Sequence, residues 1–253
     1  MSNDVYLFLL IGLPLVAFLY ASVGHGGASS YIAILTLVGL STTLVKPVAL
    51  ILNIAVSGIA FVSYIQQSKF NKRLFLGLIL FSVPASFLGG KIEVNELIFR
   101  KTLGILLLLP VARLFKLLPM DDIENPSTFY PWYWVALIGG SIGFVSGLIG
   151  IGGGIILSPV LLLMGWANFK ETATISSLFI VVNSIAGLIA AHFAGKAGIP
   201  WDLVLGKQFI ILIPLTLLAG IFGAYLGAHK FQTKTLRIIL ASVLLFASIK
   251  LLF

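Results

Sequence analysis

Long apolar runs recur along almost the whole chain with hardly a charge inside them, and no other feature constrains the fold as much. About ten can be marked, near 5–23, 28–40, 47–65, 74–90 and 102–118, then 132–149, 155–166, 172–194, 203–228 and 236–253. A helix needs roughly 20 apolar residues to cross the hydrocarbon core. Most of these runs reach that length. The 253 residues are 59% hydrophobic and only 9% charged, with a mean hydropathy of +1.13. Soluble domains carry about a quarter charged residues. A water-soluble fold of this size would have no polar surface to cover such a core. The chain is expected to be an all-α polytopic membrane protein.

The second run of each set of five is short, and each follows its predecessor across a glycine cluster. Between the sets lies Pro119 to Thr128, with two prolines, three acids and no apolar periodicity, which reads as a linker. Trp132, Tyr133 and Trp134 follow as an expected interfacial belt. The organisation predicted is thus an N-terminal membrane repeat over 1–118, a polar linker over 119–131 and a C-terminal membrane repeat over 132–253.

The two sets share a pattern. Gly24, Gly26, Gly27 and Gly39 align without a gap on Gly150, Gly152, Gly153 and Gly165. After a small insertion Gly58 meets Gly187, and Leu74, Leu76 and Gly77 meet Leu203, Leu205 and Gly206. A duplication is expected. Whether the short runs cross or turn back as re-entrant hairpins, each half crosses an odd number of times. The halves would then be inverted repeats, an arrangement that secondary transporters use. Nine Lys and Arg, among them Lys69, Lys170, Lys230 and Arg237, fall on one side and seven on the other. The larger group marks the cytoplasmic face, which places both termini outside. The apolar run at Val5 has no Lys or Arg before it, so it is expected to stay as a membrane segment.

The net charge of +8 is strung between apolar runs with no basic stripe, so topology explains it better than nucleic acid. An attraction for anions remains a second reading. With no cysteine, disulfides and thiol chemistry are excluded. No Gly-x-Ser-x-Gly or His-Glu-x-x-His motif is present, so an intramembrane enzyme lacks its nucleophile. No Walker motif is present either, and no cofactor is expected.

The chemistry concentrates in Gly24-His25-Gly26-Gly27-Ala28-Ser29-Ser30 and in Gly150-Ile151-Gly152-Gly153-Gly154. Glycines allow a helix to break, and a break at membrane depth must be buried in protein or line a cavity. A helix restarting there offers free N–H groups and its positive dipole end to an anion. Close helix packing is the bland alternative. Hydroxyl and amide groups that could complete such a site are Ser29, Ser30, Asn53 and Ser57 in one half, and Ser158, Thr174, Ser176, Ser177 and Asn183 in the other. His25 sits inside the first break. Ionisable groups at membrane depth are functional candidates by default, though a structural hydrogen bond is the alternative. Carboxylates stay near segment ends, which argues against a cation site.

The stretch Phe144 to Leu162, with Gly150-Ile-Gly-Gly-Gly-Ile-Ile-Leu-Ser-Pro at its centre, strongly resembles the signature of the TauE/SafE sulfite exporter family. Glu171-Thr-Ala-Thr-Ile-Ser-Ser-Leu and Asn183-Ser-Ile-Ala-Gly are similar to its next helix, and the likeness runs over nearly the whole chain. The resemblance implies a bacterial inner-membrane secondary transporter for a small sulfur-containing anion, such as sulfite or sulfoacetate; 4-toluene sulfonate uptake permeases are of this type. His25 and Ala28 stand where the second copy has Ile151 and Gly154, so the two copies cannot hold a ligand identically. The substrate site expected is Gly24, His25, Gly26, Gly27, Ser29, Ser30 and Asn53 with Gly150, Gly152, Gly153, Gly154, Ser158, Ser177 and Asn183. Lipid, a small anion, a coupled proton or other ion and a second copy of the chain are the partners to consider. An anion channel or a membrane scaffold without transport activity are the alternatives.

Overall fold

A computed structural model describes residues 3–40, 42–92, 126–127, 129–193 and 209–252, together with 101, 104–105, 108, 111–112 and 115. Every regular element among them is helical. The helices are α1 (Asn3–Ala21), α2 (Ala28–Leu37), α3 (Thr42–Ile65), α4 (Lys72–Lys91), α5 (Trp132–Ile149), α6 (Gly154–Leu163), α7 (Phe169–Phe193), α8 (Phe209–Tyr225) and α9 (Thr233–Leu252). A single π turn, Leu226–Lys230, ends α8. Among the described residues six helices are long and apolar enough to cross a membrane: α1, α3, α4, α5, α7 and α8 with its π turn. The helices expected to be short are short, since α2 and α6 have 10 residues each. Most of the run at 102–118, the linker core and the start of the run at 203–228 lie outside the described residues.

The outer faces are apolar because they meet lipid. Leu7, Ile11 and Leu15 on α1, Leu80 and Leu88 on α4, and Ile210 and Phe222 on α8 are all exposed. The centre is different. In α7, 67% of the most apolar window is buried inside the protein, against 33% in α1, α4, α5 and α8. The helix with the most polar residues is therefore the one most shielded from lipid, as the cost of polar groups in hydrocarbon requires. Its start is fixed by a reciprocal cap: the Glu171 N–H donates to Asn168 Oδ1 at 3.0 Å, and the Asn168 N–H to Glu171 Oε2 at 3.1 Å.

Packing between the two sets of helices is exchanged. Helix α3 packs on α7 at the centre, α1 packs on α8, and α5 packs on α4. Each set's first helix thus lies against the other set's fourth. Glycines let these backbones touch: a methyl at Gly143 would collide with the Ser82 backbone, and one at Gly223 with the Phe18 backbone. The short helices instead pack within their own sets, with α2 on α3 and α6 on α7. This leaves both glycine breaks beside the central α3–α7 pair.

Candidate functional site

Helix α1 stops at Ala21 and α2 begins at Ala28; α5 stops at Ile149 and α6 begins at Gly154. The turns use left-handed backbone at matching positions. Gly24 and Gly150 have φ 78° and 80°, and Gly27 and Gly153 have φ 91° and 75°. Such angles cost a side-chain-bearing residue about 1–2 kcal/mol, so glycine holds both breaks open. Gly26 serves another purpose. A methyl there would run into the side chains of Asn53 and Ser57.

Asn53 ties the two breaks together from α3. Its Oδ1 accepts from the Ala28 N–H at 3.1 Å, and its Nδ2 donates to Ser184 Oγ at 2.9 Å and to the Ile151 carbonyl at 3.4 Å. One side chain thereby caps α2, holds the second break and reaches α7. His25 spans the same gap from the other direction. Its Nε2 lies 3.0 Å from the Gly154 carbonyl and 3.0 Å from Ser158 Oγ, and Ser158 Oγ donates to Ser176 Oγ at 2.8 Å. The histidine of the first break is thus seated on the first turn of the helix that leaves the second.

What is left unpaired gives the site its character. The N–H groups of Gly26, Gly27 and Ser29, and of Gly152, Gly153 and Gly154, donate to no carbonyl of the described residues. His25 Nδ1, Ser57 Oγ and Tyr31 Oη are buried and make no hydrogen bond. Native interiors leave few such atoms, and each costs about 1–3 kcal/mol in stability. Three such atoms lie around one pair of helix starts. Positive charge also reaches them. The Lys250 ammonium, from α9, donates to the Ser29 carbonyl in the first turn of α2.

Not every expected residue joins this cluster. His25, Asn53 and Ser158 join the two breaks, which Gly24, Gly26, Gly27, Gly150, Gly152, Gly153 and Gly154 form. Ser29 and Ser30 lie one step back, with Tyr20 Oη at 3.3 and 2.9 Å from their hydroxyls. Ser177 donates to the Thr174 carbonyl of its own helix at 2.9 Å. Asn183 faces α4, where its Nδ2 donates to Ser82 Oγ at 3.1 Å. The α7 face that looks into the gap carries Ser176 and Ser184 instead. Ser176 bonds to Ser158 and Ser184 to Asn53, and at 100° per residue the two stand about 80° apart on α7. No spacing in the sequence therefore singled out Ser184. Tyr20, Tyr31 and Lys250 gave no signal either, since their neighbours in sequence are not their neighbours in space.

Two features make metal or carboxylate chemistry hard to build here. Among the described residues no three His, Cys, Asp or Glu side chains gather. His229 stacks on Tyr225 at 4.6 Å between ring centroids, and His192 lies edge-on to Phe193 at 6.0 Å, so neither joins His25. What the gap offers is N–H donors, hydroxyls and an imidazole, a set suited to a small anion.

Comparison with known proteins fits this chemistry. The family model described as sulfite exporter TauE/SafE matches residues 8–251. A probable membrane transporter protein of Sinorhizobium fredii is 32% identical over 250 residues, covering 96% of this chain and 97% of its own. One from Methanocaldococcus jannaschii is 30% identical over 190 residues, covering 71% of this chain and 67% of its own. One from Bacillus subtilis, YdhB, is 25% identical over 249 residues, covering 94% and 95%. No solved structure matches this chain. With a match over nearly its whole length and the glycine breaks in place, the chain belongs to the TauE/SafE family of membrane transporters.

Proposed function

We propose that the protein is a secondary transporter that carries a small sulfur-containing anion, of the sulfite or sulfonate type, across the bacterial cytoplasmic membrane by alternating access. The observation that carries this reading is the meeting of two helix starts, joined by Asn53 and His25, with His25 Nδ1 and Ser57 Oγ buried and unpartnered. Two positive dipole ends and N–H donors favour a negative ligand there. The sulfur chemistry of the substrate comes from the name of the family. Purified protein screened by thermal shift should be stabilised by sulfite or sulfoacetate, and not by metal cations or neutral solutes. Ligand at about a hundred times its Kd adds roughly 2.7 kcal/mol to the folded state. Stabilisation by cations alone would overturn the anion reading.

Alternating access follows if the two sets of helices are inverted copies. The exchanged packing of α1 with α8 and of α5 with α4 supports that relation, as does the repeated left-handed backbone at Gly24 and Gly150 and at Gly27 and Gly153. An odd number of crossings in each set puts both chain ends on one side and residues 119–131 on the other. The chain has no cysteine of its own, so single cysteines placed at Ser2 and at Asp121 can be labelled without background. Membrane-impermeant reagent added to whole cells should label the first and miss the second. Equal labelling of both positions would rule the topology out.

A further inference from the structure

We infer that anion binding takes up one proton at Nδ1 of His25, so that the protein moves proton and anion together; this rests on the anion-site reading above. The hydrogen-bond directions lead to it. The Gly154 carbonyl, 3.0 Å from Nε2, can only accept, so Nε2 carries a hydrogen. Ser158 donates to Ser176, so it too receives from Nε2. A neutral imidazole has one N–H. Nδ1 therefore presents a lone pair, on a side chain that is 0% exposed, and no group pairs with it. A lone pair beside the gap repels an anion. Adding a proton turns that acceptor into a donor and brings a full positive charge to the ligand.

The groups around His25 leave this task to it. From α1, Tyr20 is bonded to Ser29 and Ser30; from α3, Tyr64 donates to the Ser22 carbonyl; Tyr31 stands on α2. Helix α6 carries no titratable side chain. Lys250 of α9 holds the Ser29 carbonyl, while Lys170 and Glu171 of α7 are engaged with the Ala228 carbonyl and with Asn168. Phenols and ammonium groups keep one charge state around neutral pH, whereas imidazole changes its own there. A route is needed as well. A small cavity lined by Val23, Tyr64, Ser158, Thr172, Leu236 and Leu240 lies beside Ser158, and Thr172 Oγ1 on its wall is buried without a partner; a proton path to water through this side is part of the proposal. The proton leaves water on the side where the anion enters, travels on Nδ1 and returns to water on the other side. The coupled proton lowers by one the negative charge that crosses, which reduces the cost of carrying the anion through the centre of a bilayer.

The test is calorimetry of the purified protein with sulfoacetate, which holds no proton of its own near neutral pH, in two buffers of different ionisation heat. The expected result is about one proton taken up per anion at pH 7, with affinity rising about tenfold for each pH unit lowered, the slope of a single linked proton. His25→Gln, which keeps a donor for the Gly154 carbonyl, should bind more weakly and take up no proton. Heat that is the same in both buffers would overturn the coupling and leave the anion site standing. Proton uptake that persists in His25→Gln would also overturn it. No binding of sulfoacetate, sulfite or any other sulfonate would remove both readings. If His25→Gln does not fold, the buffer comparison on the unmodified protein decides alone.

Discussion

Replacing Asn53 by leucine should abolish anion-dependent stabilisation while leaving a protein that still inserts in the membrane. The side chain is 1% exposed and holds three partners that belong to different elements: the Ala28 N–H, the Ile151 carbonyl and Ser184 Oγ. Leucine keeps the branching and the number of side-chain heavy atoms, though its methyl groups are bulkier than the amide they replace and add some crowding. The loss is polar. Ser184 can turn to a carbonyl of its own helix, but the Ile151 carbonyl and the Ala28 N–H keep no substitute within reach. At about 1–3 kcal/mol for each of the two buried groups left unpaired, the cost is about 2–6 kcal/mol. That is a large share of the stability of an ordinary domain. Because the two glycine breaks are joined through this residue, their N–H groups should also lose their common aim. Asn183→Leu is the comparison. It removes a buried carboxamide that donates to Ser82 and to the Phe179 carbonyl at 3.0 Å, away from the breaks. It should lower the melting temperature and keep the sulfite or sulfoacetate shift. A folded Asn53→Leu protein that still responds to the anion would remove Asn53 from the site.

The contrast between these two asparagines marks how far the sequence could be read. Composition decided the membrane solvent, and apolar run length placed the long helices, because both depend on sums over many residues. The short helices after each glycine cluster were legible too, since a run of about ten apolar residues is too brief to span. The glycine spacing picked out the positions where the backbone turns left-handed. Side-chain direction was harder. Asn53 and Asn183 both lie inside long apolar runs, and only the rotation of α3 and α7 about their axes sends one into the gap and the other toward α4. That rotation comes from packing between helices distant in sequence, which leaves no local trace. Lys250 was grouped with residues that mark a membrane face, because its neighbours are apolar and it lies near the end of α9. Its reach to Ser29, 221 positions earlier, is a tertiary fact. Glu171 lies near a segment end by sequence, and there it caps its own helix.

A methyl group added at Gly152 should be strongly disruptive, and a matched control exists. Gly152 and Gly165 both have left-handed backbone, with φ 76° and 67°. Alanine at either position meets the same strain of about 1–2 kcal/mol. The surroundings differ. At Gly165 nothing lies within 4 Å of the new carbon, whereas at Gly152 it would stand 2.6 Å from Asn53 Nδ2, 2.7 Å from Ser184 Oγ and 2.8 Å from Ile180 Cγ2. None of these can yield alone, since Asn53 is fixed by three hydrogen bonds and Ile180 is 2% exposed. Overpacking of this kind costs a further 1–3 kcal/mol or so. Gly165→Ala should therefore melt slightly lower and keep its full response to the anion. Gly152→Ala should lose about 2–5 kcal/mol in all and lose the response, because the methyl group pushes Asn53 out of register with Ala28 and closes the gap from the side of α6. Melting curves of both variants with and without sulfoacetate separate the two terms, since strain is common to them and crowding is not. Equal losses in the two proteins, with the response intact in both, would mean that the second break is a hinge of the backbone and has no part in holding the ligand.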